Sequence, residues 1–232
     1  WVEQTQTAHP TGTDQVPWFP QVSADAENIR AMLNWNIDHG NANRVATALT
    51  NDQNRISLLF NYWLTQNQLI EAVQWINRVL GSKQNITWQY HSGLLNMGSW
   101  LCIKQGDFAQ AEIFCRQSLE IERAQGNLQQ IAQGLLMLAV TVSKRDPDQA
   151  WGHYDEAIQL ARDIQHDDLL SALLTNMGEL ARLTGDYPRA RALYEESISI
   201  KQANDIEYGR MGYCYVWANL GFVLLREGNL AR

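Results

Sequence analysis

Apolar residues in the C-terminal part of the chain recur every three to four positions. In residues 170–181 the apolar side chains at this spacing are Leu170, Leu173, Leu174, Met177, Leu180 and Ala181. This spacing places them on one face of an α-helix. The pattern stops at Gly185 and resumes in "DYPRARALYEESISIKQ". The sequence therefore predicts two helices joined by a tight turn.

The residues at this turn are those that end one helix and start another. Gly185 can take the left-handed conformation that closes a helix, and Asp186 can cap the next one. Pro188 falls in the first turn, where its missing N–H costs little. The second helix is then expected to bury Ala190, Leu193, Tyr194, Ser197 and Ile198.

The same helix–turn–helix pattern recurs along the chain. The turns at Gly106, Asp146, Gly185 and Gly228 follow one another at steps of 40, 39 and 43 residues. A period near 40 residues with helices on both sides of each turn is typical of a helical solenoid. In the Asp146 unit the turn is one residue short, yet Ala150, Tyr154 and Ala157 keep their expected positions.

Small residues complete this pattern. Gly178 and Ala190 stand where the two helices of a pair cross, and larger side chains would keep the backbones apart. With these positions, "WANLGFVLLREGN" (217–229) and the unit around Gly185 resemble the tetratricopeptide repeat, over roughly residues 86–232. The resemblance implies an all-α, right-handed superhelix of antiparallel helix pairs.

The first 82 residues follow a different pattern. Helices are predicted over 25–40 and 69–81, with a broken or paired helix over 43–68 interrupted at 51–54. The expected organisation is an extended arm over 1–22, a helical cap or divergent first repeats over 23–82, and repeats over 83–125, 126–165, 166–204 and a truncated 205–232.

This N-terminal region carries a second resemblance. It is similar to the start of the C-terminal helical region of bacterial STAND-class signalling ATPases, at Trp18, Glu27, Asn28, Ile29, Arg30, Trp35, Trp63, Glu71, Ala72, Trp75 and Leu80. The resemblance implies a sensor region coupled to a P-loop nucleotide switch and an effector domain. The sequence contains no G-x-x-x-x-G-K-[ST], so we expect any ATPase to lie in a preceding part of a longer protein.

Composition narrows the possible functions. The 232 residues carry a net charge of −7, which argues against direct nucleic-acid binding. No apolar run reaches the roughly 20 residues that a membrane span needs. The three cysteines, Cys102, Cys115 and Cys214, have no CxxC spacing and are expected to be buried, reduced thiols, which favours the cytoplasm.

The sequence offers no catalytic or cofactor motif. Its five histidines are scattered and form no H-x-x-x-H pair, so no metal site is expected. The carboxylate pairs Asp167-Asp168 and Glu195-Glu196 are adjacent in helices, where neighbours do not face one another as an acid and a base must. We therefore expect no enzyme activity and no cofactor for this chain.

A recurring three-residue motif indicates a binding function instead. Asn96, Asn176 and Asn219 each precede Met-Gly or Leu-Gly in a first helix of a pair. The asparagine is rotated about 100° from the next residue, toward the expected concave groove. Its amide offers donors and an acceptor that can hold a peptide backbone. The expected ligand-binding residues are Asn96, Asn176, Glu179, Arg182, Tyr215, Asn219, Phe222 and Arg226.

Two interpretations of these asparagines stay open: they bind a ligand, or they only bond neighbouring helices and set the stacking. The pattern as a whole predicts a sensor or scaffold that binds a protein, peptide or small ligand in the groove and contacts other domains of its full-length chain. It would belong to a signalling ATPase. The alternative is a stand-alone adaptor or peptide-pheromone receptor.

Overall fold

Helices form the regular structure of the chain. The computed structural model describes residues 19–50, 57–203 and 210–228, which contain twelve helices and no strand. The helices are α1 (Phe19–Ala24), α2 (Ala26–Asp38), α3 (Ala42–Thr50), α4 (Leu58–Thr65), α5 (Leu69–Leu80), α6 (Trp88–Gln105), α7 (Phe108–Gln125), α8 (Leu128–Val142), α9 (Pro147–Asp163), α10 (Asp167–Thr184), α11 (Tyr187–Ala203) and α12 (Arg210–Arg226). The predicted all-α fold is confirmed.

The chain forms two compact units, residues 1–121 and 122–232. The boundary falls within α7. In the first unit, α2 and α5 match the predicted helices closely, and α3 and α4 flank the predicted break. The break itself, at 51–54, lies outside the described residues. On its far side, the buried Ser57 hydroxyl donates to the Ala48 carbonyl oxygen at 2.8 Å, which ties α4 to α3.

The N-terminal arm differs from the expectation where it is described. Residues 1–18 of the predicted arm lie outside the described ranges, whereas Phe19–Ala24 is helical rather than extended. Phe19 and Val22 are one turn apart and both are buried. The Phe19 ring meets the Tyr62 ring edge-on at 5.9 Å between centroids. Helix formation lets both apolar side chains reach one core.

The second unit consists of the helix pairs α8–α9 and α10–α11, followed by α12. The α10–α11 turn has the predicted chemistry: Gly185 has φ +83°, and the Asp186 carboxylate accepts from the Arg189 N–H at 3.2 Å. At the shorter turn, Asp146 likewise accepts from the Gln149 N–H at 3.0 Å. The residues expected to be buried after that turn, Ala150, Tyr154 and Ala157, are buried.

Glycines allow an aromatic ring of the second helix to approach the first. A Cβ at Gly178 would lie 2.8 Å from the Tyr194 ring, and one at Gly98, in the first unit, would lie 2.8 Å from the Phe114 ring. The predicted close crossing is therefore present. Ala190 is fully buried as expected, but the tightest contact of Gly178 is with Tyr194, one turn further along α11.

Buried hydroxyl groups join the helices of two pairs. In the first unit, the Ser92 and Ser118 hydroxyls lie 3.0 Å apart. In the second, the Thr175 and Ser197 hydroxyls lie 2.8 Å apart, and Ser197 also donates to the Ser171 carbonyl oxygen at 2.8 Å. Each hydroxyl has a partner, so these polar groups are buried without the penalty of an unsatisfied one.

The cysteine prediction holds for two of the three thiols. Cys102 and Cys115 are buried, and burial raises the pKa of Cys102 to about 11. Cys214 is exposed, contrary to the expectation. It lies on the face of α12 that corresponds to the buried face of α10, and no described element covers it.

Candidate functional site

Two of the predicted ligand-binding residues of the second unit, Arg182 and Asn219, meet at the carboxylate of a third, Glu179 on α10. Arg182, one turn later, donates from Nε to Oε2 at 2.9 Å and from Nη2 to Oε1 at 2.5 Å. The Tyr194 hydroxyl on α11 donates to Oε2 at 3.2 Å. The Asn219 amide on α12 reaches the same oxygen at 3.4 Å. One carboxylate thus joins three helices.

The bidentate pair fixes the direction of the Arg182 side chain. Both partners are only partly exposed, with 22% of the Arg182 and 24% of the Glu179 side chain accessible. The hydrogen bonds that Arg182 donates to Glu179 raise the pKa of Arg182, so its guanidinium stays charged. A partly buried bidentate pair holds its geometry better than an exposed one.

An aromatic ring on α12 extends this cluster. The Arg182 and Arg226 guanidinium carbons each lie 5.2 Å from the centroid of the Phe222 ring. The Tyr187 ring meets Phe222 edge-on at 6.4 Å. Cations at this distance from an aromatic face are attracted to it by about 0.5–1 kcal/mol at exposed sites. Phe222 therefore interacts with two arginines while it stays partly exposed.

Two tyrosines, Tyr154 and Tyr194, feel the charge of Glu179. Burial raises the pKa of the Tyr154 hydroxyl, and the negative charge of Glu179 and the phenol of Tyr215 raise it further. The pKa of Tyr194 is raised by burial first and then by Glu179. Tyr215 therefore lies near Tyr154 and Tyr194, and 51% of it is exposed. We name the residues Glu179, Arg182, Tyr194, Tyr215, Asn219, Phe222 and Arg226 the Glu179 cluster.

The three asparagines do not share one environment. Asn176 uses its amide to donate to the Ala172 carbonyl oxygen of its own helix at 2.8 Å. Asn219 faces Glu179, with a long bond that leaves its amide weakly engaged. Asn96 lies on α6 in the first unit, where its buried Oδ1 accepts no hydrogen bond from the described residues. The structure joins Asn219 to the cluster, and a ligand role for any of the three stays a prediction.

The sequence did not identify Tyr194 as part of this site. Its apolar spacing assigned it to the core, where its ring does lie, fully buried. The residue type could have revealed it, because a buried tyrosine needs a hydrogen-bond partner for its hydroxyl and a phenylalanine does not. That partner is the central carboxylate of the cluster.

The first unit contains a separate network, formed by residues of the STAND-like pattern. Arg30 on α2 donates to both carboxylate oxygens of Glu71 on α5, at 2.7 and 2.8 Å, and to Glu27 at 2.6 Å. The Trp75 indole N–H also donates to Glu71, at 3.3 Å. These hydrogen bonds, chiefly those from Arg30, lower the pKa of Glu71. The network holds α2 and α5 together.

Acid should weaken this network. Because the folded pKa of Glu71 is depressed, its contribution is complete above the ordinary glutamate pKa of about 4.3 and is lost as pH falls through the folded value. The stability difference between wild type and Glu71→Gln, measured by urea denaturation, should shrink below that pH. The exposed Arg123–Glu156 pair supplies the control Glu156→Gln. An equal pH dependence in both variants would contradict the assignment.

Neither a metal site nor a membrane span is found in the described ranges. No group of three or more His, Cys, Asp or Glu side chains in residues 19–50, 57–203 and 210–228 could hold a metal ion. None of the helices described there combines the length and apolar character that crossing a bilayer requires.

Fold and site together define an all-α helical-repeat protein of tetratricopeptide-like architecture. Tetratricopeptide repeat models match residues 92–125 and residues 142–203. These ranges cover most of α6 and all of α7, α9, α10 and α11, and the predicted tetratricopeptide repeats are confirmed there. Among curated proteins, none matches the sequence.

Solved structures with the same fold are distant in sequence. BtubC (BKLC) from P. vanneervenii is 17% identical, over 94% of this chain and 86% of that one, with a TM-score of 0.70. A Rap protein complexed with Competence and Sporulation Factor is 14% identical, over 97% of this chain and 64% of that one, with a TM-score of 0.64. The apo form of RapI is 14% identical, over 92% and 84%, with a TM-score of 0.58.

Proposed function

We propose that the second unit binds an extended protein or peptide segment at the Glu179 cluster. The observation that carries this proposal is the convergence of Arg182, Asn219 and Phe222 on one surface, around a carboxylate shared by three helices. The Rap protein complexed with Competence and Sporulation Factor, which has a similar fold, supports a ligand-binding role for such repeats.

The chemistry of the cluster favours a particular kind of segment. Glu179 neutralises Arg182, whereas Arg226 forms no ion pair with any residue that the structure describes. Arg226 is exposed beside the partly exposed Phe222 ring, with Tyr215 near the same cluster. The surface thus offers one cation for a carboxylate and aromatic faces for an apolar side chain. A segment with an acidic residue next to an apolar one fits both.

Peptide binding at the Glu179 cluster can be tested with a displayed library of random 12-residue peptides. Peptides selected on the chain should be enriched in an acidic residue adjacent to an apolar or aromatic one. Their binding to Arg226→Ala should be weaker. Arg116→Ala is the matched control, because Arg116 lies in the first unit and pairs with Glu112 of its own helix. Selected peptides that bind both variants equally would place the binding surface elsewhere.

The asparagines can be tested with the same peptides. One hydrogen bond to a peptide backbone is worth about 0.5–1.5 kcal/mol, so Asn176→Ala should weaken binding several-fold. The double variant with Asn219→Ala should weaken it more, with little change in Tm because neither amide makes a strong bond between helices. Asn77→Ala, on the exposed face of α5, is the control. A lower Tm with unchanged affinity would show that the asparagines only set the stacking.

Two settings fit this binding function. In the first, the chain is the sensor region of a STAND-class signalling ATPase, and ligand occupancy biases the nucleotide switch. The Arg30–Glu71–Trp75 network supports this setting, because it gives positions of the resemblance a common structural role. In the second, the chain acts as a stand-alone adaptor or peptide receptor. A P-loop in the full-length gene would establish the first setting, and its absence the second.

A further inference from the structure

Helix α6 of the first unit repeats a series of side chains that α12 presents at the Glu179 cluster. The series is an asparagine, an aromatic ring about one helical turn later, and a cation another turn later. On α6 these residues are Asn96, Trp100 and Lys104. On α12 they are Asn219, Phe222 and Arg226. Steps of three or four residues keep each series on one side of its helix.

The ring and the cation of α6 are in contact, as they are on α12. The Lys104 Nζ lies 5.0 Å from the centroid of the Trp100 ring. The corresponding distance from the Arg226 guanidinium carbon to Phe222 is 5.2 Å. In the first unit, α4 supplies a second ring, Phe60, whose centroid is 5.8 Å from that of Trp100. Both rings pack on the core of this unit and stay partly exposed beside the exposed lysine.

Two polar groups of this surface lack a partner in the described part of the chain. Lys104 makes no ion pair there, and its recorded contact is the Trp100 ring. The Asn96 side chain is partly exposed, but its Oδ1 lies inward, where no described group donates to it. Turning the amide outward breaks no hydrogen bond of this oxygen and lets it accept one from a ligand.

The charge of this surface differs from that of the Glu179 cluster. Directly after the motif glycine, where α10 has Glu179, α6 has the fully buried Ser99. Neither α6 nor α4 contains an acidic residue. The next acid along the chain, Asp107, caps α7 by accepting from the Gln110 N–H at 3.0 Å. The surface therefore carries a positive charge that an acidic partner complements.

We propose that this surface is a second binding site, for an extended peptide segment with an acidic and an apolar residue. The site, named the Trp100 site, consists of Phe60, Asn96, Trp100 and Lys104. A carboxylate of the segment pairs with Lys104, an apolar side chain packs on the two rings, and a backbone N–H donates to Asn96. The eight residues from Asn96 to Lys104 span about 12 Å of helix, which about four extended residues cover.

The Trp100 site can be tested on the Arg226→Ala chain, in which the Glu179 cluster has lost its unpaired cation. Displayed 12-residue peptides selected on this chain should be enriched in an acidic residue close to an apolar one. Adding Lys104→Glu should weaken their binding by about tenfold or more, because the carboxylate loses a charged partner and meets a like charge. Lys104→Arg should retain most of the affinity. Arg116→Glu is the matched control, since Arg116 is a cation of the first unit that already pairs with Glu112.

A second variant, Asn96→Ala, tests the amide. Binding should fall several-fold with the Tm unchanged, because Oδ1 of Asn96 has no hydrogen bond to lose in the described part of the chain. A lower Tm with unchanged affinity would contradict the role of the amide.

Equal binding to the Lys104→Glu and Arg116→Glu chains would overturn the proposal, as would failure to select any peptide. The Glu179 cluster is judged separately. Peptides selected on the wild-type chain that lose affinity for Arg226→Ala support that cluster, whatever Lys104→Glu does. Peptides that respond only to Lys104→Glu support the Trp100 site alone.

Discussion

Gly178→Leu is expected to destabilise the second unit by about 3 kcal/mol, the upper part of the range for overpacked cores. A Cβ at this position already lies 2.8 Å from the Tyr194 ring, and leucine adds three further carbons in the same direction. The ring cannot retreat easily, because Tyr194 is fully buried. Urea denaturation should show a lower midpoint with an unchanged slope. Ala190→Leu, also fully buried, should lower the midpoint by a similar mechanism.

The control for the leucine substitution is Gly152→Leu on α9. A Cβ at Gly152 meets nothing within 4 Å, so the change adds bulk without overlap. Since glycine costs about 1 kcal/mol relative to good helix formers, this variant should be as stable as wild type or slightly more stable. If Gly178→Leu had the same midpoint as wild type, the assigned packing of α10 on α11 would be wrong.

Tyr194→Ala is expected to cost about 4 kcal/mol, as does truncation of other large buried aromatic side chains. The ring fills the space over Gly178, and its removal leaves a cavity in the cluster of Ala181, Ala190 and Ile198. Tyr194→Phe separates the hydroxyl from the ring. Loss of the bond to Glu179 should cost about 1 kcal/mol, measured by the same urea titration. Equal losses in the two variants would show that the ring contributes nothing beyond its hydroxyl.

Combining the two substitutions tests whether the ring and the glycine are partners. In Gly178→Leu/Tyr194→Ala, the leucine side chain can occupy part of the space that the ring vacates. The double variant should therefore lose less stability than the sum of the single changes, by about 1 kcal/mol or more. Strict additivity would mean that the two residues do not share one space.

The sequence predicted the fold from local signals. Gly185 and Asp186 end and begin helices through their own backbone and side-chain preferences, and the spacing of leucines in α10 defines its buried face. Cys214 shows where this reasoning failed. Its place in an apolar helical stretch predicted burial, but burial depends on the neighbour that covers the face, and the pattern of α12 alone does not say whether that neighbour is there.

The candidate site was predicted in part. Glu179 and Arg182 lie three residues apart on one helix, so their pairing follows from helix geometry. The repeat alignment also places Asn219 and Phe222 on the same surface as this pair. The Asn176 bond to its own helix and the Tyr194 bond to Glu179 did not follow, because each depends on a side-chain rotamer that packing decides.

The buried hydroxyl pairs have a mechanical consequence. If α11 slid along α10 by one helical turn, the Ser197 hydroxyl would lose its bonds to Thr175 and to the Ser171 carbonyl oxygen. A buried polar group without a partner costs about 1–3 kcal/mol. Thr175 would keep its bond to the Ser171 carbonyl oxygen of its own helix. Leucine contacts alone would tolerate such a slip, because one apolar side chain can replace another. The paired hydroxyls thus oppose sliding of one helix along the other. A chain under tension should therefore lengthen first at its linkers, with each such helix pair moving as one rigid piece.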